Sequence, residues 1–250
     1  MTMIKVVLFD LGSTLIYQKD PWPPIYERAD RALVDALASS SIRLDLADFH
    51  TDSRGFMGTY YESTNLENRE YTTFNLLGDT LVSKGFSNTS EPVVRSALAA
   101  MYAVTQQNWY LEEDALSTLA ELNKLGYKLG LISNTSDDNN VQGLVDRWRL
   151  RPYFETIITS AALGIRKPDP RIFHVALEQL HALPQEAAMV GDTLNADVLG
   201  ANQSGIYSIW ITRRIKLPDE DELKIQPQAV VSALQQIPAL LAEIEKDQTD

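Results

Sequence analysis

The sequence predicts an α/β protein, a parallel sheet core with one all-helical domain inserted into it. Three observations lead there. Short apolar runs recur along the chain, each closed by polar residues. Helix-length amphipathic segments separate those runs. One interval, residues 16–109, carries helical patterns and no convincing strand. Short runs rich in β-branched and aromatic residues read as strands buried on both faces. Strand alternating with helix means parallel pairing through right-handed crossovers. The expected division is a core of residues 1–15 and 110–250 and a helical domain of residues 16–109, entered after the first strand.

The first strand is Ile4 to Phe9, closed by Asp10-Leu-Gly-Ser-Thr14. Inside the insertion, Pro23 to Ala38 repeats Ile25, Ala29, Ala32, Leu33, Ala36 and Leu37 near a 3.6-residue period, the mark of one buried helix face. Further helical segments begin near Asp45, Tyr71 and Pro92, with Gly78, Gly85 and Ser/Asn-rich turns between them. Back in the core, a helix over Glu112 to Leu125 precedes the run Tyr127 to Ile132, which ends in Ser133-Asn134. Asp138 to Trp148 is helical, and Phe154 to Ile158 leads into Thr159-Ser160. Asp169 suits the cap of a helix opening at Pro170, since proline tolerates the first helical turn. That helix extends to Leu183. The run Ala187 to Val190 meets Gly191-Asp192, a helix covers Asn195 to Gln203, and Ile206 to Ile211 completes the strands. Arg213 to Gln228, charged and aperiodic, reads as a surface loop holding the acidic cluster Asp219 to Asp221. Ser232 is placed to cap a short helix and Pro238 to open a last one, with Val231, Leu234, Leu241 and Ile244 as packing residues.

Composition narrows the function. Apolar side chains make up 44% and charged ones 22% of the chain, which excludes wholesale disorder. Acidic residues number 34 against 22 basic ones, for a formal charge of -12, so a nucleic-acid backbone is repelled and no such partner is expected. A small phosphorylated substrate meets the same field, and its site needs locally concentrated positive charge. Cysteine is absent, which fits a reducing compartment. The opening apolar run is too short for a signal peptide, and no stretch reaches the roughly 18 apolar residues of a membrane helix. A cytoplasmic protein without a membrane partner is the expectation.

Ligands of a parallel sheet bind where strand C-termini gather. That rule brings together Asp10, Ser133 with Asn134, and Asp192 with Asp197. Alternatives exist for each: Asp-x-Gly-Ser is good turn chemistry, Asp192 or Asn195 suits a helix N-terminus, and Ser133 and Asn134 suit caps, turns or phosphate donors. Clustered, the three aspartates form a hard oxygen-lined group that calls for a cation, and carboxylates with waters suit Mg²⁺. Lys167 sits on a loop framed by Pro168 and Pro170. His50, His174 and His181 lack ligand-like spacing and read as structural or surface residues. Tyr17, Trp22, Tyr60, Tyr61 and Trp109 are candidates for lining a pocket, or for packing.

Four pieces in order, Val6 to Leu15, Leu131 to Asn134, Gly164 to Pro170 and Val190 to Ala201, resemble the motifs of the haloacid dehalogenase (HAD) superfamily of hydrolases. The resemblance is to subfamily I, with a helical C1-type cap inserted after the first motif; it spans the core, and the insertion by position and helicity only. It implies a Rossmann-like core of the HAD fold and a Mg²⁺-dependent hydrolase of small phosphomonoesters acting in two steps. Asp10 would attack phosphorus and form an aspartyl-phosphate. Mg²⁺ would be held by Asp10, Asp192 and the backbone carbonyl of Gly12, while Asp197 holds the metal's waters or orients Lys167. Lys167 would neutralise the transferring oxygens. Ser133 and Asn134, with the first loop at Gly12, Ser13 and Thr14, would bind the phosphate. This is the positioning and charge neutralisation that phosphoryl transfer requires.

One departure stands out. Phosphatases of this superfamily usually carry a second aspartate two residues after the nucleophile, and here that residue is Gly12. A general acid–base is worth about 10²–10⁴ in rate. Asp137, Asp138, Tyr17, Lys19 and Asp20 are the candidate replacements. A second reading is dehalogenation, in which Asp10 attacks carbon and displaces halide. That branch also lacks the second aspartate, but it needs no metal and usually carries serines in place of Gly191-Asp192. A third reading, a catalytically weak member that binds a phosphorylated ligand, has Gly12 as its support.

Overall fold

The computed structural model describes residues 3–51, 68–215 and 219–247. Six parallel strands form one sheet in the order β5-β4-β1-β6-β7-β8. They are β1 (Val6–Phe9), β4 (Lys128–Ser133), β5 (Thr156–Thr159), β6 (Ala187–Gly191), β7 (Tyr207–Ile211) and β8 (Ala229–Val231). Alternate side chains of β1 enter opposite layers: Val7 and Phe9 join one apolar cluster, Val6 and Leu8 the other. Both layers are covered, so the strand is continuously apolar instead of alternating. Leu119 and Leu122 of α4 (Ala115–Lys124) and Leu241 of α7 (Ile237–Asp247) cover the first face. Phe173, Ala176, Leu177 and Leu180 of α6 (Pro170–Leu180) cover the second.

A third apolar cluster lies within the insertion. Leu33 and Leu37 of α1 (Pro23–Ser39) pack with Leu77 and Leu81 of α2 (Thr73–Ser83) and Val94, Ala97 and Leu98 of α3 (Glu91–Thr105). The chain leaves and re-enters the sheet region through an antiparallel ribbon of β2 (Ile16–Gln18) and β3 (Trp109–Leu111), with Tyr17 opposite Tyr110. This corrects the strandless reading of residues 16–109: three-residue strands are too short to show alternation, and their pairing is non-local.

Other differences are local. Gly78 lies inside α2 rather than between helices, where its missing side chain faces open space. β8 was hidden in its brevity, and a 3₁₀ turn at Glu222–Lys224 interrupts the loop after β7. Ser232 does not cap the turn Leu234–Gln236. The Gln236 side chain instead accepts from the backbone N–H groups of Ser232 (2.7 Å) and Ala233 (3.0 Å). Asp169 does cap α6, its carboxylate accepting from Arg171 N at 2.9 Å. Among the described residues, no helix is long and apolar enough to cross a membrane.

Candidate active site

β1 occupies the centre of the sheet, between β4 and β6, so three neighbouring strand ends share one crevice. Phe9 pairs in register with Leu131 on one side and Val190 on the other. Asp10 therefore emerges level with Ile132, one residue before the Ser133 end of β4, and with Gly191 at the end of β6, just before Asp192. Its backbone N–H donates to Val190 O at 2.9 Å, anchoring it to the neighbouring strand. The following loop folds tightly: Ser13 takes a left-handed φ of 59° and donates its N–H to Ile16 O at 2.6 Å.

Lys167 is buried and spends all three ammonium protons inside the site. Its Nζ donates to Asp10 Oδ1 at 2.6 Å, Asp197 Oδ1 at 2.7 Å and Ile132 O at 2.8 Å. Asn134 clasps the backbone of the lysine loop in both directions, accepting from Lys167 N (2.9 Å) and donating to Lys167 O (3.0 Å). Asp197 turns its second oxygen to Thr193 N at 3.0 Å. Thr193 Oγ1 in turn donates to Asp192 at 3.2 Å. The carboxylates of Asp10, Asp192 and Asp197 approach within 4.8 Å of one another.

Electrostatics follow from this crowding. Burial pushes the Asp10 carboxyl up to about 6, against the pull of Lys167. Burial, then the charges of Asp10 and Asp197, push Asp192 up to about 8. Lys167 is opposed by its own burial, but Asp10 and Asp197 outweigh that and hold it above the usual lysine range. Three carboxylates thus cluster about one ammonium that bonds two of them, and Asp192 has no ammonium or guanidinium of its own among the described residues.

Gly191 is a steric requirement of the cluster. A Cβ there would stand 2.2 Å from Asp197 Cγ. Gly191→Ala is expected to displace Asp197 and to lower kcat at least about 10²-fold, the scale of misplacing a positioned group. Steady-state assays with a melting curve check this, and a variant within threefold of wild type would refute the steric role.

Asp10, Gly12, Ser13, Ser133, Asn134, Lys167, Asp192 and Asp197 all line one cavity of about 760 Å³. Thr14 does not; it is buried, its Oγ1 without a hydrogen-bond partner among the described residues. None of the candidate replacements for the missing acid lines the cavity. Asp137 caps α5 (Asp138–Arg147) through Asn140 N, and Asp138 accepts from Thr159 Oγ1 at 2.7 Å. Tyr17 lies under the Arg214 guanidinium at 3.9 Å, Lys19 lies over the Tyr110 ring, and Asp20 is exposed. Trp109 does reach the cavity and stands 3.5 Å from where a Gly12 side chain would begin. Trp22 stacks on Tyr26 instead, and Tyr60 and Tyr61 fall outside the described residues.

His50 pairs with Asp30 inside the insertion, and His174 and His181 are exposed. Sequence reasoning missed Asn68, Arg166 and Glu222 as cavity residues. The adjacency of Arg166 to Lys167 was a usable signal; Glu222 lay next to an acidic run read as solvated surface, and nothing local marks Asn68.

The family model for haloacid dehalogenase-like hydrolases matches residues 4–205. A glyceraldehyde 3-phosphate phosphatase from Methanopyrus kandleri is 29% identical over 213 residues, 84% of this chain and 85% of that protein. A phosphoserine phosphatase from Thermus thermophilus is 35% identical over 125 residues, about half of each chain (50% and 49%). Among solved structures, a 2-haloacid dehalogenase from Pseudomonas syringae pv. tomato superimposes with a TM-score of 0.71 at 28% identity, covering 96% of this chain and 99% of that one.

Proposed function

The chain belongs to the haloacid dehalogenase-like hydrolases, and we propose that it hydrolyses small phosphomonoesters through a covalent aspartyl-phosphate on Asp10, with Mg²⁺ at its acidic cluster. One observation carries this reading: three carboxylates within 4.8 Å of one another, with a single ammonium among them. If all are ionised, two negative charges remain in a largely buried site, which is costly without a cation. A divalent ion balances them. The donors are hard oxygens, the chemistry Mg²⁺ prefers, so the residues fit the ion. Asp10 and Asp192 would hold it, with the Gly12 carbonyl, and Asp197 would support its waters or Lys167. Bound there, Mg²⁺ supplies charge neutralisation to the phosphoryl oxygens.

The chain's own groups do the rest. Asp10 donates an electron pair to phosphorus as the ester P–O bond breaks and the alcohol leaves with a proton from solvent; water then attacks phosphorus and gives up a proton to solvent as the bond to Asp10 breaks and phosphate is released. Lys167 orients Asp10 by its 2.6 Å bond and lowers the negative potential that the incoming phosphate meets. Ser133 and the first loop present donors to the remaining oxygens. Residues 68–70 lie across residues 164–166, with Arg166 N donating to Asn68 O (3.1 Å) and Glu70 N to Gly164 O (3.1 Å). Thr73 N donates to Ser136 O at 2.9 Å. On this reading the helical insertion is a cap that excludes water from the site and selects the substrate.

Dehalogenation has two supports, the 28% identical dehalogenase structure and the glycine at position 12. It leaves the Asp192 carboxylate without a task. A panel of small phosphomonoesters and 2-haloacids, assayed with Mg²⁺ and with EDTA, separates the readings. Phosphate release that EDTA abolishes is expected. Halide release indifferent to EDTA would replace the proposal with dehalogenation, and silence across the panel would leave a binding protein.

Gly12→Asp addresses the missing acid. A Cβ there would meet the Trp109 indole only at 3.5 Å, an ordinary contact that leaves room for it, so the change is expected to raise kcat about tenfold or more, part of the usual value of a general acid. A kcat within about threefold of wild type would show that another group already fills the role.

A further inference from the structure

We infer that Arg166 forms a second anion subsite of the same cavity, and that the preferred phosphomonoester carries a carboxylate beside its phosphate; the assignment rests on the phosphatase reading above. Lys167 is fully engaged with Asp10, Asp197 and a backbone carbonyl, so it has no free donor for a second group. Arg166, its immediate neighbour, lines the same cavity and is in a different position. Its side chain is only 14% exposed, and its Nη1 is buried with no hydrogen-bond partner among the described residues. Its ion pair with Glu70 is long, Nε to Oε2 3.9 Å, beyond hydrogen-bond reach.

A largely buried guanidinium with an unmade bond is expensive in a folded chain and rarely kept without a use. Glu70 is held in place, its Oε2 accepting from Ser160 Oγ at 2.6 Å. Its charge offsets part of the Arg166 charge. What is left over suits a monoanion better than a second dianionic phosphate. The flat donor fork of arginine matches a planar carboxylate. Location agrees as well. Arg166 is where the inserted segment meets the core, Arg69 bridging antiparallel to Ile165. The part of a substrate that is not phosphate would lie against that seam.

Phosphoserine and phosphoethanolamine differ by one carboxylate and make the test. Wild-type kcat/KM is expected to favour phosphoserine by about tenfold or more, the scale of one charge-assisted contact. Arg166→Ala should erase that preference through a higher KM for phosphoserine, changing kcat/KM for phosphoethanolamine less than about threefold, and Arg166→Lys should restore part of it. Equal loss on both esters would make Arg166 merely structural and overturn the subsite. So would the absence of any wild-type preference, and faster turnover of a glycerol bisphosphate than of phosphoserine would overturn the carboxylate assignment. Should no ester release phosphate, the phosphatase reading fails separately. Calorimetric binding of both esters to Asp10→Asn then decides the subsite: tighter binding of phosphoserine that Arg166→Ala abolishes supports it, and equal binding overturns it.

Discussion

Asp10→Asn is expected to abolish phosphate release, by at least about 10⁴-fold, without unfolding the protein. An amide has no electron pair on oxygen comparable to a carboxylate's, so on the proposed route the bond to phosphorus cannot form and both steps are lost. The structure argues that the loss is chemical. Asn keeps the shape of Asp, and its carbonyl oxygen can still accept from Lys167 Nζ, now 2.6 Å from Asp10 Oδ1. The backbone N–H of residue 10 still reaches Val190 O. Removing one of three clustered carboxylates also relieves repulsion in the absence of cation. Thermal stability without metal should therefore equal or exceed that of wild type, while stabilisation by added Mg²⁺ weakens. Phosphate assays and melting curves with and without Mg²⁺ check both halves. A variant keeping a tenth of wild-type turnover would rule out covalent catalysis by this residue.

Why so much of this site could be read in advance is a matter of locality. Val6 to Phe9 is apolar at every position because both faces of a central strand are covered, and Asp10 then stands out as the first charge at its end. Gly191-Asp192 shows the same contrast at the end of β6. The parallel topology converts those strand ends into neighbours. Tasks set by distant contacts were not legible. Asn134 has the right chemistry to meet a phosphate, yet both ends of its amide are used on the backbone of Lys167. Trp109 faces Gly12 only because a three-residue ribbon pairs residues some ninety positions apart in the chain. Arg166 acquires its setting from Glu70 and Ser160, and no spacing announces that trio. Sequence periodicity reports which side of an element is buried; it is silent on what the far side of a cavity contributes.

Lys167→Met should damage stability and activity together, and the two can be separated. Met fills a similar volume but carries no charge. Asp10 and Asp197 would then lie buried beside each other without the ammonium that bonds both at 2.6 and 2.7 Å. Breaking a buried ion pair from one side typically costs about 3–5 kcal/mol, chiefly the penalty of the charge left behind. A loss of that size is expected in urea unfolding without metal. Turnover should fall at least about 10³-fold, since Asp10 loses its orienting partner and the phosphate meets an unrelieved negative field. The second substitution Asp197→Asn distinguishes the causes. Lys167→Met with Asp197→Asn removes one charge of each sign, so most of the lost stability should return, a coupling of about 2 kcal/mol or more in the double-mutant cycle. Activity should not return, because the charge that the proposal sets against the phosphate is still missing. If instead Lys167→Met were as stable as wild type, the ammonium could not be neutralising buried carboxylates, and if the double variant regained activity, Lys167 would serve only to balance Asp197.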